Sequence, residues 1–261
     1  QYSAAFASDL PFGSFYVQER TTNEAFVLSN QQYPVVFAYA GQETALVTIA
    51  VNDGEAISNE MIRGRIDGVK YGEDPEGGED LTLEGALIGL FAPGTEEFTE
   101  ENALLVTTSV ENGAFSFEDV PFGHWIIKEI ASPSALYSIS PEQHHVYIGT
   151  DGQTIEITIE NQIIKGTAET TKVDADYPDH KLSGAVFEVY ADVDNNGEFN
   201  ADIDKLAGEM TETEPGLYQM KDLVYRNYFL HEKEAPEFFE KDDGYYPFSI
   251  TENEAIVRIE T

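Results

Sequence analysis

Three short stretches of the chain put a glutamate in line with apolar residues: Phe15-x-Val17-x-Glu19, Trp125-x-Ile127-x-Glu129 and Tyr228-x-Leu230-x-Glu232. Side chains at i, i+2 and i+4 of a strand leave the same face. Each carboxyl is therefore expected among buried neighbours, where an unpaired carboxylate is costly. Around the second glutamate two further apolar faces end in a polar group, Ile66-x-Gly68-x-Lys70 and Ile155-x-Ile157-x-Ile159-x-Asn161. A sandwich that sets its opening and closing strands side by side would bring Lys70, Glu129 and Asn161 together inside the core. Desolvation lowers the pKa of a buried lysine and raises that of a buried glutamate. The neutral amine is a nucleophile. A protonated Glu129 would hydrogen-bond the Asn161 carbonyl, polarise it and pass a proton to departing ammonia. Folding holds amine and amide in contact, so no activated substrate is needed. The product would be a Lys70–Asn161 isopeptide bond, made once and not turned over, which is not enzymatic activity in the ordinary sense. The bland alternative is a buried lysine–glutamate ion pair with the asparagine as a hydrogen-bond partner.

The elements that would position these groups recur. Asp9-Leu10-Pro11-Phe12-Gly13, Asp119-Val120-Pro121-Phe122-Gly123 and Asp222-Leu223-Val224-Tyr225 precede the three glutamate strands. Leu83-Glu84-Gly85-Ala86 matches Leu182-Ser183-Gly184-Ala185, and Gly64 and Gly166 are each followed six residues later by a lysine, Lys70 and Lys172. A period of about 100 residues is too long for a solenoid and fits whole domains in series. The expected division is 1–62, the C-terminal half of a repeat; 63–164, a complete repeat; and 165–261, a repeat lacking its last strand. Such a chain reads as a slice of a longer array, with neighbouring repeats of the same protein as its first partners.

Alternation dominates the rest. Ala45-Leu46-Val47-x-Ile49, Ile155-x-Ile157-x-Ile159 and Val186–Tyr190 have strand character. Turn signals recur at Asp53-Gly54, Asn112-Gly113, Asp151-Gly152, Asn196-Gly197 and Pro215-Gly216, and long helical periodicity is lacking. Short strands between regular turns predict an all-β fold of tandem β-sandwiches.

The Gly-x5-Lys opening, the Leu-x-Gly-Ala strand, the box Tyr228-x-Leu230-x-Glu232-x-x-Ala235-Pro236 and the closing Asn161 together resemble Cna B-type (SpaA-like) domains. The resemblance implies a prealbumin-like, inverse-immunoglobulin sandwich, self-formed isopeptide bonds, and a place in the stalks or pilus shafts of Gram-positive surface adhesins. It also implies an extracellular, cell-wall-anchored location. Under it, Glu19 and Asn59 match two members of the triad in the first repeat, and Lys172 and Glu232 match two in the third. In the middle repeat Trp125 and Ser132 replace the box tyrosine and alanine, while the acid is kept. The alternative function is a ligand-binding module whose loops recognise a host or plant matrix protein or glycan.

Composition sets the outer limits. Acidic residues number 49 against 14 basic ones, a net charge of −35, which repels phosphate backbones and anionic membranes and excludes nucleic acid as a partner. There is no cysteine, so robustness must come from something other than disulfides. No apolar run approaches the roughly 18 residues of a membrane span. The segment Asp192-x-Asp194-x-Asn196-Gly197-Glu198-x-x-x-Asp202-x-Asp204 resembles the start of an EF-hand loop, with oxygen ligands at alternate positions that suit calcium. Ile203 stands where the bidentate glutamate belongs, so a polar connecting loop is the competing reading; the isopeptide chemistry itself requires no cofactor. Of the five histidines, His144 and His145 are adjacent on an expected strand and so face opposite ways, which disfavours a chelating pair, while His124, His180 and His231 read as lone loop or surface residues.

Overall fold

The computed structural model describes residues 7, 8, 10–39, 41 and 48–260. Most of the strand expected over 45–49, together with Asp9, lies outside them. Among the described residues the only helical elements are single 3-10 turns, and the rest is strand and turn. The strands are β1 (Gly13–Gln18), β2 (Gln32–Phe37), β3 (Arg63–Gly72), β4 (Leu81–Thr82), β5 (Leu87–Phe91), β6 (Leu105–Thr108), β7 (Ala114–Pro121), β8 (Gly123–Ala131), β9 (His144–Ile148) and β10 (Thr154–Asn161). They continue with β11 (Lys165–Thr171), β12 (Val186–Ala191), β13 (Lys205–Glu209), β14 (Thr211–Glu214), β15 (Leu217–Val224), β16 (Arg226–Glu234), β17 (Tyr245–Ile250) and β18 (Ile256–Ile259). By contact density the chain forms two compact units, one of residues 1–66, 118–125 and 146–155, the other of residues 67–117, 126–145 and 156–261.

Between Arg63 and Asn161 the strands form two sheets, β10-β3-β4 with β7 on β3, and β6-β5-β8-β9. The same pattern returns after Lys165 as β14-β15-β11-β18 and β13-β12-β16-β17. Strand alternation decides which faces meet. In β3, Gly64, Ile66, Gly68, Lys70 and Gly72 all face inward and are buried. In the later pair of sheets Ala168, Val189, Leu230 and Ile250 are fully buried in one core with Phe187 and Tyr218. Their outward neighbours form a smaller apolar layer. Phe199 from the loop after β12 stacks on Tyr245 at 3.7 Å, and Tyr245 stacks on His231 at 4.2 Å. His231, expected at the surface, is accordingly 9% exposed, because a loop folds back over the strand that carries it.

Two further expectations are corrected. The repeat beginning at Lys165 does not lack a last strand: β18 pairs in parallel with β11, Thr167 opposite Ile256 and Thr170 opposite Ile259. It covers an edge of β11 whose amide and carbonyl groups would otherwise lie open. The face Phe15-x-Val17-x-Glu19 is not a buried one. β1 pairs only with β2 among the described residues, so Val17 is 43% exposed and Glu19 is half-buried. Among the described residues no second sheet covers this hairpin.

Glycine at position 68 makes room for a ring. A Cβ there would stand 2.1 Å from the Phe115 side chain, whereas the equivalent of Gly68 in the third repeat is Thr170, whose hydroxyl donates to the Ile259 carbonyl. Gly68→Ala should therefore overpack the middle repeat and cost about 1–3 kcal/mol, read as a lowered urea midpoint at unchanged m-value.

Candidate functional site

Lys70 comes from the inward face of β3, Glu129 from β8 and Asn161 from the last position of β10. They are 0%, 2% and 1% exposed, and the structure brings all three together. The Lys70 Nζ donates to the Asn161 Oδ1 at 2.5 Å and lies 3.7 Å from the Glu129 Oε1. It also reaches the Tyr71 and Ile159 carbonyls at 3.2 and 3.4 Å. The Asn161 Nδ2 donates to the Glu129 Oε1 at 2.9 Å and, more weakly, to the Ser132 Oγ at 3.4 Å. Burial pushes the Lys70 ammonium below its ordinary value of 10.5, and the nearby Glu129 charge opposes that shift only in part.

One detail differs from the expectation. Glu129 contacts the amide nitrogen of Asn161, the atom that would leave, rather than its carbonyl oxygen, which the lysine occupies. The second carboxyl oxygen accepts the backbone amide of Ser140 at 2.6 Å, which anchors the group. The Glu129 Oε1 is thus the one atom placed between the amine and the departing nitrogen. An amine, a carboxamide and a carboxyl group held together in a dry interior are the components of amide exchange.

The partial sites repeat this arrangement two members at a time. In the first, the Asn59 Nδ2 donates to the Glu19 Oε1 at 2.7 Å and to the Thr22 Oγ1 at 2.6 Å, and the Ser29 amide donates to the Glu19 Oε2. The Asn59 Oδ1, equivalent to the oxygen Lys70 grips, is buried without a hydrogen bond. In the third, the Lys172 Nζ lies 2.9 Å from both oxygens of Glu232, and the Asp242 amide takes Oε2. The Glu232 Oε1 makes no hydrogen bond of proper geometry despite that ionic contact; its counterpart in the middle repeat holds the asparagine. Sequence reasoning missed the backbone amides of Ser29, Ser140 and Asp242, which anchor all three acids. Main-chain donors carry no residue signature.

The acidic loop is more compact than its sequence required. Oxygens of Asp192, Asp194 and Asp204 lie within 4.8 Å of one another, with Asp192 and Asp204 buried. Asp192 accepts the amides of Asn196 and Gly197, and Asp204 those of Val193 and Asn200. Asn196 is turned onto Asp194, while Glu198 and Asp202 do not belong to the cluster. Asp192 and Asp204 thereby cap the loop's own backbone.

With the fold and triad defined, comparison with known proteins is direct. The family model of the SpaA prealbumin-like fold domain matches residues 74–163 and 166–261. The chain belongs to this family. Comparison with curated protein sequences gives no match. Among solved structures, the Bacillus anthracis TIE protein is similar with a TM-score of 0.61 and 23% identity, over 95% of this chain and 41% of that one. A streptococcal ancillary pilin aligns at 20% identity over 96% of this chain and 75% of its own, with a TM-score of 0.34. The shaft pilin SpaA of Lactobacillus rhamnosus GG aligns at 14% identity over 76% and 97%, with a TM-score of 0.32. The chain thus spans well under half of the TIE protein chain it resembles.

A pH dependence follows from the lowered lysine. In an Asn161→Ala chain Lys70 keeps its amine and has no carboxamide partner. Its folded pKa lies below the unfolded one, so the unfolded chain binds more protons in the window beneath 10.5. Stability of the middle repeat should then rise as pH climbs toward 10.5. Adding Lys70→Met should flatten the slope; urea unfolding at several pH values reads both.

Proposed function

We propose that this chain is a structural segment of the stalk or shaft of a Gram-positive surface adhesin or pilus, stabilised by an isopeptide bond between Lys70 and Asn161. The observation that carries this reading is the fully buried amine–carboxyl–carboxamide group in an SpaA-family domain, joining the strand that opens the repeat to the strand that closes it. The neutral Lys70 Nζ attacks the Asn161 Cγ, the new C–N bond forms, and the C–Nδ2 bond breaks. Glu129 accepts the proton lost by the lysine and delivers it to the departing nitrogen, so that one ammonia leaves and the carboxylate is regenerated. Nothing turns over.

The mechanical consequence sets the value of the bond. The two residues are 91 positions apart; treated like a disulfide closing that loop, the link contributes about 4–5 kcal/mol by chain-entropy bookkeeping. More important is its direction. Pulling force entering at β10 passes to β3 through a covalent bond and bypasses the intervening strands, which suits a cell-wall-anchored stalk under shear. The terminal regions carry the same machinery in part, Glu19 with Asn59 and Lys172 with Glu232, consistent with repeats joined in series along an extracellular protein. The division at 62/63 and 164/165 is part of the same proposal.

Intact mass under denaturing conditions tests the bond: the chain should weigh one ammonia less than its sequence. Glu129→Ala should remain folded at full sequence mass, with a melting temperature lower by the several degrees that a few kcal/mol represents. A wild-type mass with no ammonia missing would refute the cross-link.

A further inference from the structure

The turn that follows each acid strand does the same work twice and is left idle once. Seven or eight residues after the glutamate stand Phe26, Tyr137 and Phe239, each ending a turn in which its amide donates to the carbonyl three residues back, of Asn23, Ser134 and Pro236. In the first compact unit this turn grips the chain running toward β3. The Ile62 amide donates to the Ala25 carbonyl at 2.9 Å and the Val27 amide to the Glu60 carbonyl at 2.8 Å, with Phe26 and Met61 paired as a β-bridge. The Ile62 carbonyl then accepts the Phe122 amide at 2.9 Å, so the connecting residue is bonded on both sides.

The second compact unit repeats the pattern group for group. The Ile164 amide donates to the Leu136 carbonyl at 2.9 Å, the Ser138 amide to the Gln162 carbonyl at 3.0 Å, and the Tyr225 amide to the Ile164 carbonyl at 2.8 Å. Tyr137 and Ile163 form the bridge. Here side chains complete the joint: Tyr137 and Ile163 are buried with Leu83, and Leu136 and Val224 pack against them. Lys165, the first residue of β11, reaches the Glu73 carboxylate at 2.5 Å. Glu73 in turn accepts the Ile163 amide, and its carbonyl takes the Tyr137 hydroxyl.

In the third turn the corresponding apolar residues face water. Phe238, at the position of Ala25 and Leu136, is 94% exposed, and Phe239, at the position of Phe26 and Tyr137, is 40% exposed. Phe238 also has φ +74, a backbone region that non-glycine residues seldom occupy. A bare pair of phenylalanines on a chain of charge −35 is the sort of apolar feature that marks an interaction site.

We propose that this turn is a repeat-to-repeat docking socket, filled twice within the chain and open at Phe238–Phe239, where it fits a further repeat of the same fold entering through a short apolar linker like Met61-Ile62 or Ile163-Ile164. The proposal rests on the reading of the chain as repeats in series. It does not need the isopeptide bond, which mass alone decides.

Amide hydrogen exchange tests it, since Val27, Ser138 and Glu240 hold the same place in the three turns. In the chain as it stands, Val27 and Ser138 should be protected and Glu240 should exchange freely. The amides of Arg65 and Thr167 donate to the carbonyls of Gln153 and Ala255, so Ile259 stands where Ile157 does. A second copy of residues 160–261 fused after Thr261 would therefore enter in register. That fusion should slow exchange at Glu240 on the order of a hundredfold, and replacing both linker isoleucines of the added copy with serine should abolish the slowing. Free exchange at Glu240 beside protected core amides in the added repeat would overturn the proposal. Should the added copy not fold, the filled socket decides: the Leu136→Ser, Ile164→Ser double variant of the natural chain should deprotect Ser138 and separate the melting of the middle and third repeats. An unchanged exchange pattern and a single unchanged transition would refute it.

Discussion

A lysine with no exposed surface is the constraint around which the middle repeat is arranged. An ammonium removed from water must be paired or give up its proton, and each neighbouring element answers that requirement. β8 supplies a carboxylate that does not touch the amine closely, β10 supplies a carboxamide that does, and the Ser140 amide holds the carboxylate in place. The result is a lysine hydrogen-bonded to an amide oxygen at 2.5 Å and 3.7 Å from its counter-ion. A simple buried ion pair would reverse that order of distances.

The third repeat shows the reversed order. Lys172, with no asparagine beside it among the described residues, closes to 2.9 Å on Glu232, and its side chain remains 14% exposed. The first shows the complementary case, an asparagine held by Glu19 with its carbonyl oxygen unbonded. Two partial arrangements therefore bracket the full one. Together they indicate that the asparagine draws the lysine off the acid and onto the carboxamide oxygen.

The connections into β3 and β11 are ordered by main-chain pairing. The connecting residues Ile62 and Ile164 are hydrogen-bonded on both sides, and one of the scarce lysines, Lys165, is spent at a joint against Glu73. Around Ile164 the order comes from backbone pairing and a few buried apolar side chains; surface ion pairs contribute little by comparison.

Strand alternation was readable without coordinates, because a period of two fixes which side chains share a face. Ile66, Gly68 and Lys70, or Ile155 to Asn161, could be assigned to one interior before any fold was known, and the spacing of lysine, acid and asparagine identified the triad and the family. The sequence could not say that Glu129 would meet the amide nitrogen rather than the oxygen. Nothing in the sequence marks the Ser140 amide that holds the other carboxyl oxygen either, because every non-proline residue offers the same main-chain donor. Nor could it reveal that Val17 would be exposed, since burial of a strand face depends on whether a second sheet arrives. The burial of His231 depends likewise on a loop returning across β16, and the exposure of Phe238 on no described segment covering it. Local periodicity is a property of the chain; which face is covered, and by what, is decided only when distant segments meet.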